Sequence, residues 1–393
     1  MGGGLMQLVA YGAQDIYLTG NPQITFWKVV YRRCTNFAIE SVEQTFMGNA
    51  TPGSRATATI SRNGDLVSNC VLEVNITTAA NGELTSAGIH HLVESVEVEI
   101  GGQKIDKHYA AWLQIWNELS NSHFGPNDGD TAPVTSGYGK VVGNGLGASK
   151  TETVYCPLAF WFNRNPGLAL PLIALQYHEV KFNFQFAAAA ALSSDNGAAP
   201  TVNSIKMYVD YIYLDTEERR RFAQQSHEYL IDQVQYTGAV AKTAAAGASQ
   251  SLRLDFNHPC KELVWVCRET ARAADAGYAT DFHGIGANGS TALLQLNGHD
   301  RFAKRPMNYF TRVQPLQHHT NVPHGDRIGV YSFGLRPEDH QPSGTCNFSR
   351  IDNATLQLSV AGVDATSNEF QVYATNYNVL RIMSGMGGLA YSN

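Results

Sequence analysis

The chain has 393 residues, which is long enough for two domains that each bury their own hydrophobic core. Apolar residues make up 44% of it and charged residues only 16%, well below the roughly 25% charged content of soluble proteins. So low a content of charged residues predicts either unusually large cores or extensive surface that other subunits cover. The formal net charge of −6 gives no overall attraction to nucleic acid, so we expect no direct nucleic-acid contact.

The amino-terminal segment, residues 1 to 26, is Gly-rich at its start and then apolar, and it is predicted to form an arm. It lacks the basic region and long apolar stretch of a signal peptide, and no run in the chain approaches the roughly 18 to 20 apolar residues that cross a bilayer. None of the six cysteines forms a C-x-x-C pair, so zinc-ribbon and thioredoxin-type spacings are missing. We expect a cytosolic chain with reduced, buried thiols and no membrane span.

Alternation of apolar and polar residues dominates the pattern after the arm. It is clearest in the segments VEVEI (96–100), VKFNFQF (180–186), SLRLDF (251–256) and LQLSV (356–360). Strands with one buried face favour antiparallel sheets packed as sandwiches, because the strands of parallel sheets are continuously apolar. The sequence therefore predicts an all-β fold.

Two helices are predicted between the strands. The first is indicated by apolar side chains at helical spacing that would bury one aromatic stripe, namely Tyr109, Trp112, Leu113, Trp116 and Leu119. The second is the charged segment TEERRRFAQQ, for which Asp215 is a candidate N-cap with Glu218 three residues later. Because no Gly/Ser-rich stretch accompanies it, this solvated helix predicts a short, tight connection between domains. Segments rich in Gly, Asn, Ser and Ala predict long loops at residues 121–150, 187–204, 239–250 and 271–291.

The same plan of strands occurs twice in the chain. FAIESVEQT (Phe37–Thr45) is echoed by YLIDQVQYT (Tyr229–Thr237), and two further groups follow in the same order. Val96, Val98, Ile100 and Gly102 match Ala292, Leu294, Leu296 and Gly298; Tyr155, Pro166, Val180, Phe182 and Phe184 match Tyr331, Pro342, Leu356, Leu358 and Val360. Repeats of this length predict two duplicated domains rather than the short units of a solenoid.

The best candidate for chemistry is His324-Gly325-Asp326 with His340, since two imidazoles and a carboxylate hold iron in jelly-roll oxygenases. In such an enzyme, Arg350 would be the residue that binds a carboxylate cosubstrate. The spacing argues against the site, because His340 follows Asp326 too closely to lie on a distant strand. The pairs His90-His91 and His318-His319 are other metal candidates, but neighbours on a strand point to opposite faces. We therefore expect no catalytic residues, no cofactor and no metal.

Two long segments carry a resemblance to a known family. GNPQITFWKVVYRR (Gly20–Arg33) looks like the amino-terminal signature of the major capsid proteins of nucleocytoplasmic large DNA viruses, and RPEDHQPSGTCNFSRIDNATLQL (Arg336–Leu358) resembles their carboxy-terminal signature. SRNGDLV, EIGGQKIDKHY and NPGLALPLIALQYHEVKF agree with the same family. Within this family, the quoted segments most resemble those of the capsid proteins of phycodnaviruses, the large viruses of algae.

The resemblance implies a double jelly roll, two consecutive eight-stranded antiparallel sandwiches with short helices in loops. It divides the chain into an arm (1–26), a first jelly-roll domain (27–215), a helical linker (216–226) and a second jelly-roll domain (227–393). Three chains would form a pseudo-hexagonal capsomer that tiles an icosahedral shell. The segment PSGTCNFSRID is then expected to form a turn, a strand and a contact between subunits.

The expected partners are further copies of the chain, neighbouring capsomers, and minor capsid and penton proteins. The expected location is the capsid shell of the virion, assembled in the host cytoplasm, and the resemblance is compatible with an internal membrane beneath the shell. It is also compatible with glycans on loop residues, without assigning any residue. One alternative is a minor or vertex component of the same family. A more remote alternative is a jelly-roll metal-dependent oxygenase or a carbohydrate-binding protein.

Overall fold

A computed structural model describes residues 3–80, 82–85, 87–121, 138–193, 199–269, 282–363 and 368–391, apart from the side chains of Glu269 and His324. Contacts between Cα atoms divide the chain into two compact units, and the second unit is Phe37–Asn393. The first unit ends at Asn36 and contains helices α1 (Gly3–Val9) and α2 (Ile16–Thr19), neither of which buries a residue. The predicted arm lies within this first unit.

The first half of the second unit is built from antiparallel strands. They are β1 (Phe37–Gln44), β2 (Phe46–Met47), β3 (Arg55–Thr59), β4 (Leu66–Thr77), β5 (Val93–Ile100), β6 (Gln103–Tyr109), β7 (Thr151–Pro157), β8 (Leu170–Pro171), β9 (Val180–Phe186) and β10 (Thr201–Leu214). One sheet has the order β1-β10-β4-β7, with β8 beside β4. The other sheet has the order β2-β3-β9-β5-β6. Alternate residues of β9 are buried, as the alternation of its sequence predicts.

The second half repeats this construction. Its strands are β11 (His227–Ala241), β12 (Ser249–Arg253), β13 (Pro259–Glu269), β14 (Thr291–Leu296), β15 (His299–Asp300), β16 (Arg305–Pro306), β17 (Ile328–Ser332), β18 (Cys346–Asn347), β19 (Ala354–Ser359), β20 (Asn368–Met383) and β21 (Met386–Leu389). One sheet has the order β11-β20-β13-β17, with β18 beside β13 and β21 beside β20. The other has the order β12-β19-β14-β15, with β16 beside β14.

The two sandwiches share one strand order, so the predicted duplication is confirmed. In each, the first long strand pairs with the last long strand, which pairs with a strand from the interior of the domain's sequence. The matched segments fall on equivalent strands, β1 with β11, β5 with β14, β7 with β17 and β9 with β19. A strand order that returns the last strand beside the first is the jelly-roll arrangement, so the chain is a double jelly roll.

Short helices connect the strands. The α-helices of the second unit are α3 (Ala110–Ser120), α4 (Tyr138–Val142), α5 (Trp161–Arg164), α6 (Thr216–Gln224) and α7 (Gln314–His318). Single 3-10 turns lie at Gly88–Leu92, Pro166–Leu168, Ala189–Leu192, His324–Asp326 and Phe348–Arg350, and a π-helix spans Tyr309–Val313. Across the described ranges, none of the helices combines the length and apolar character that a membrane crossing needs.

Helix α3 differs from its prediction in how much of it is buried. Its residues from Ala111 to Leu119 are all buried, not one stripe alone. The cause is its position between the sandwiches, where Trp112 lies 5.6 Å from the ring of Tyr373 in β20. The backbone oxygen of Leu119 accepts a hydrogen bond of 2.9 Å from the backbone N–H of Asn321 in the second sandwich. A helix that faces two domains has no free side.

Helix α6 lies between the two sandwiches in the chain and buries no residue, as predicted for a solvated helix. Asp215 is its N-cap, and its Oδ1 accepts a hydrogen bond of 2.8 Å from the backbone N–H of Thr216. Arg219 reaches Asp65 of the first sandwich at 2.8 Å. The charged helix therefore contributes an ion pair to the adjoining first sandwich.

Several predicted boundaries were wrong. The predicted loop 187–204 ends earlier, because β10 begins at Thr201, and the loop 239–250 begins later, because β11 runs to Ala241. The predicted strand 251–256 ends at Arg253, although Leu254 and Phe256 beyond it are buried in the core. Side-chain alternation continues past the last ladder hydrogen bond, so it overstates the strand. Most of the predicted loops 121–150 and 271–291 lies outside the described residues.

The hydrophobic core does not stop at the boundary between sandwiches. One cluster of buried side chains contains the core of the first sandwich together with residues of the second, among them Ile231, Val264, Val330 and Tyr373. A separate cluster fills the second sandwich. Shared apolar burial between domains removes the freedom of each to move alone. The junction is therefore a packed interface within the second unit.

Candidate functional site

The candidate iron ligands named from the sequence, which the spacing argued against, do not form a metal cluster among the described residues. The carboxylate of Asp326 is held by Arg312, whose Nε donates to Oδ1 at 2.7 Å, and by Thr311, whose Oγ1 donates at 3.1 Å. Arg350 is exposed at the end of a 3-10 turn, and His340 is half-buried. The side chain of His324 lies outside the description. Among the described residues, no group of three His, Cys, Asp or Glu side chains is arranged to hold a metal ion.

The paired histidines lie on helical turns, so the expectation that they sit on strands was wrong. His90 and His91 belong to the 3-10 turn Gly88–Leu92, while His318 ends α7 and His319 follows it. Members of each pair nevertheless have different partners. The Nδ1 atom of His318 lies 2.9 Å from the backbone oxygen of Leu335, whereas His319 lies among carboxylates.

A buried Cys-His-Asn cluster was not predicted from the sequence. His90 Nδ1 lies 3.3 Å from Cys156 Sγ, and His90 Nε2 lies 3.1 Å from Asn117 Nδ2 and 3.2 Å from the hydroxyl of Tyr138. The Tyr138 ring stacks on the imidazole. The residue types match those of a cysteine nucleophile with its base, but they come from distant parts of the chain, and no sequence spacing marks them.

Burial prevents this cluster from acting as a nucleophile. Desolvation lowers the pKa of His90 to about 3 and raises the pKa of Cys156 to about 12, so both groups are neutral at pH 7. A reactive cysteine needs the thiolate and access to a substrate, and both side chains are fully buried. We interpret the cluster as a satisfied polar part of the first core.

The main concentration of charge is buried at the junction of the two sandwiches. The ammonium group of Lys261 on β13 is 2.8 Å from Asp232 Oδ2 on β11 and donates to the backbone oxygen of Pro337 at 2.8 Å. Arg164, at the end of α5 in the first sandwich, reaches the same Asp232 oxygen at 3.5 Å. Its guanidinium group also lies 3.7 Å from the ring centroid of Trp116 on α3. Asp232 thus holds cations from both domains.

A second set of charges continues this cluster. His319 Nε2 lies 2.9 Å from Glu262 Oε2, and His319 Nδ1 lies 2.8 Å from Glu338 Oε1. Burial alone would lower the pKa of His319, but the two carboxylates outweigh it and raise the pKa to about 9. Burial likewise opposes the ionised form of Glu262, yet His319 and Lys261 lower the pKa of its carboxyl group. The imidazole ring of His319 is therefore protonated at neutral pH.

The ion pairs of these two sets join equal numbers of opposite charges. Three cations, Arg164, Lys261 and His319, face three anions, Asp232, Glu262 and Glu338. A buried charge is tolerated when it is paired and hydrogen-bonded, and each of these has a partner of opposite sign. Such an arrangement carries no chemistry on a substrate. Its geometry fixes how the second sandwich lies against α5 of the first.

Hydrogen bonds that involve backbone atoms hold the same junction at other points. Asp106 Oδ1 on β6 accepts from the backbone N–H of Val234 on β11 at 3.0 Å. The backbone N–H of Tyr177 donates to the backbone oxygen of Gly385 at 3.0 Å, and His178 Nδ1 lies 3.0 Å from the backbone oxygen of Gly387. These contacts join the first sandwich to β11 and to the β20–β21 hairpin. The two domains are connected along several strands rather than at one hinge.

The second unit also exposes apolar side chains. Phe37 and Ile39 lie on β1, which ends its sheet and has no strand on its outer side among the described residues. Leu316 and Leu335 are 72% and 73% exposed, and Tyr177 is 75% exposed. An open strand edge and exposed apolar side chains are features that neighbouring chains cover in assemblies. These are candidate contact surfaces.

The signature around Pro342–Gly344 forms the predicted turn followed by a strand. Ser343 Oγ accepts a hydrogen bond of 3.0 Å from the backbone N–H of Arg336, which folds the turn back on the preceding segment. The chain then enters β18 at Cys346. The predicted intersubunit contact of this segment stays a prediction.

Comparison with protein families matches both halves of the chain. The family described as "Major capsid protein N-terminus" matches residues 25–215, and "Large eukaryotic DNA virus major capsid protein" matches residues 218–388. The major capsid protein of Pyramimonas orientalis virus is 54% identical over 426 residues. That of Paramecium bursaria Chlorella virus 1 is 46% identical over 446 residues. Both comparisons cover 100% of this chain and 100% of the relative.

Solved structures give the same result. A quasi-atomic model of the PBCV-1 virus capsid has a TM-score of 0.80 at 41% identity, covering 94% of this chain and 100% of that chain. The Faustovirus major capsid protein has a TM-score of 0.65 at 14% identity, which shows likeness of fold alone, and covers 95% of this chain and 94% of that one. The matched proteins are structural proteins of capsids and not enzymes. Given relatives of such identity over its whole length, the chain belongs to the family of large eukaryotic DNA virus major capsid proteins.

Proposed function

We propose that three copies of this chain form a pseudo-hexagonal capsomer and that these capsomers tile the icosahedral shell of a large DNA virus. The observation that carries the proposal is the pair of like sandwiches joined by one buried core. Three such chains would present six sandwiches of the same strand order around one axis. A unit with a nearly six-fold outline packs against identical neighbours on a flat facet, so one sequence covers a large shell.

A fixed junction supports this role, because the outline of the capsomer depends on the angle between the two sandwiches. The buried pairs Arg164–Asp232 and Lys261–Asp232 and the hydrogen bond from Val234 to Asp106 hold that angle from both sides. Buried, paired groups have few alternative arrangements of similar energy, since separating them leaves an unpaired charge in a region that excludes water. A flexible linker would not keep six domains in register.

The surface of the second unit offers contacts for neighbouring copies. Exposed Leu316 and Leu335 are apolar, and β1 offers an open strand edge. Coverage by neighbours would also remove the aggregation hazard of that edge. Permanent interfaces bury about 2,000–5,000 Å², and the low charged content of the chain fits surfaces of that kind.

The domain boundaries proposed for this role are an arm at residues 1–26, a first domain at 27–215, a linker at 216–226 and a second domain at 227–393. The arm is proposed to contact minor capsid proteins, while penton proteins fill the vertices. The site of action is the shell of the virion, assembled in the host cytoplasm. No direct contact with nucleic acid is proposed, in keeping with the net charge of −6.

The test is the mass of the purified full chain by sedimentation equilibrium, with a variant that lacks residues 1–26 beside it. The proposal predicts a complex of three chains for both, and loss of shell assembly for the truncated variant alone. A monomer for the full chain would contradict the proposal. Trimer loss on truncation would instead place the arm in the trimer contact. Stoichiometry in purified particles separates a major from a minor or vertex component, since the main tile must dominate the protein content.

A further inference from the structure

Two cysteines lie directly opposite each other on neighbouring strands of the second sandwich. In the antiparallel pairing of β13 with β18, Cys260 is the partner of Cys346, and Pro259 is the partner of Asn347. Both thiols are free. In the other strand pairings of the described residues, cysteines face different residue types; Cys267 on the same strand faces Phe370.

The geometry of this pair is compatible with a covalent link. Residues opposite each other on antiparallel strands have Cα atoms about 4.5–5.5 Å apart, and disulfides form at about 4.4–6.8 Å. Opposite residues also point to the same face of a sheet. Both side chains pack against the core cluster of the second sandwich, so they share one face. A bond between them requires no change of strand register.

We propose that Cys260 and Cys346 are a latent disulfide site, which stays reduced in a reducing compartment and closes when the protein meets a peroxide-class oxidant. The first step transfers one oxygen atom from the peroxide to the Cys346 sulfur, giving a sulfenic acid and releasing water from hydrogen peroxide. The Cys260 sulfur then attacks the Cys346 sulfur. The S–S bond forms, the S–O bond breaks, and the hydroxyl leaves with the Cys260 proton as a second water.

The environment of the two thiols determines which one reacts first. Cys260 is fully buried, whereas Cys346 is half-buried at the start of a two-residue strand. Burial raises the pKa of both thiols, and for Cys346 the nearby charge of Arg301 acts in the opposite direction. The more accessible Cys346 is therefore the site of the first oxidation. Because little thiolate is present at neutral pH, closure is slow.

The link would fasten the segment after the Pro342–Gly344 turn to β13. It closes a long loop of chain, from Cys260 to Cys346, that includes α7 and β17. A closed loop has less conformational entropy in the unfolded state, so the oxidised protein is more stable. A cytosolic pool of reduced thiols keeps such a pair open, and an extracellular medium allows it to close. This last point alone rests on the proposed function, in which the protein leaves the cell within a particle.

The test uses the full chain carrying Cys34→Ser, which removes an exposed thiol that would link separate molecules. The protein is treated with hydrogen peroxide, unfolded, alkylated and digested. Before alkylation, we expect an intact protein lighter by two hydrogen atoms. After digestion, we expect a single cross-linked peptide pair containing Cys260 and Cys346, and a reducing agent should restore both thiols. Cys267→Ser is the matched control, since it removes another buried thiol of β13 and must leave the cross-link intact. Cys346→Ser must abolish it.

Thermal unfolding gives a second readout. The oxidised protein is expected to melt on the order of several degrees above the reduced protein, and Cys346→Ser to show no such difference. Both readouts are made on the chain itself, so they hold whether or not trimers form. The proposal is overturned if Cys346 is oxidised beyond the sulfenic state while Cys260 remains open to alkylation. It is equally overturned if the linked peptides contain another cysteine.

Discussion

Replacing Lys261 by Met tests how much the buried charge cluster contributes to stability. The change keeps the length of the side chain but removes the ammonium group that lies 2.8 Å from both Asp232 and the Pro337 oxygen. Asp232 keeps only the more distant Arg164, at 3.5 Å, as a charged partner. Removal of one partner from a buried ion pair costs about 3–5 kcal/mol, because the other charge stays buried without compensation.

The size of that loss sets the expected shift in melting temperature. At roughly 2.1 cal/mol/K for each residue, a cooperative unit as large as Phe37–Asn393 has an unfolding entropy of about 0.75 kcal/mol/K. Lys261→Met should therefore lower the Tm by about 4–7 °C in differential scanning calorimetry. Lys206→Met is the matched control, since Lys206 pairs with Glu43 at 3.4 Å on the exposed surface, and it should leave the Tm nearly unchanged. Equal shifts for the two variants would refute the reasoning.

Three further predictions concern the pH dependence, the packing and the metal content. The raised pKa of His319, about 9, means that its contribution to stability is complete below the unfolded value of about 6.5 and is lost as the pH rises through 9. His319→Gln should flatten the fall of Tm between those pH values, and an unchanged profile would contradict the assignment. Gly329→Ala should destabilise by about 1–3 kcal/mol in urea unfolding, because a Cβ there would lie 2.3 Å from Trp265 Nε1; Gly147→Ala, with open space around it, should not. Elemental analysis should find no stoichiometric iron or zinc, and iron that disappears in His324→Ala would instead favour the oxygenase alternative.

The strands and their repetition were predictable because their signal is local. A strand with one buried face alternates over a few residues, so VKFNFQF identifies β9 and LQLSV identifies β19. The repeat could be recognised from the same local alternation, since equivalent strands bury equivalent positions. Where a residue is buried by an element that is distant in the sequence, the local pattern did not predict that burial. Helix α3 shows an aromatic stripe in the sequence, but its polar residue Asn117 is buried as well, because it lies against His90 of the 3-10 turn Gly88–Leu92.

The charge cluster could not be predicted, because its members are far apart in the chain. Arg164, Asp232 and Glu338 belong to different domains or loops, and only the fold brings them together. One signal was present: Lys261 and Glu262 interrupt the apolar strand PCKELVWVCRE, where a charge needs a buried partner. The cysteine pair was equally hidden, since the register of β13 with β18 depends on the turn before Cys346.

Electron microscopy of the purified protein tests the central claim most directly. Class averages viewed down the particle axis should show three-fold symmetry with six lobes, two from each chain, because each chain contributes two sandwiches of equal construction. Isolated particles with one or two lobes, at a concentration where the protein is folded, would contradict the account of a trimeric capsomer.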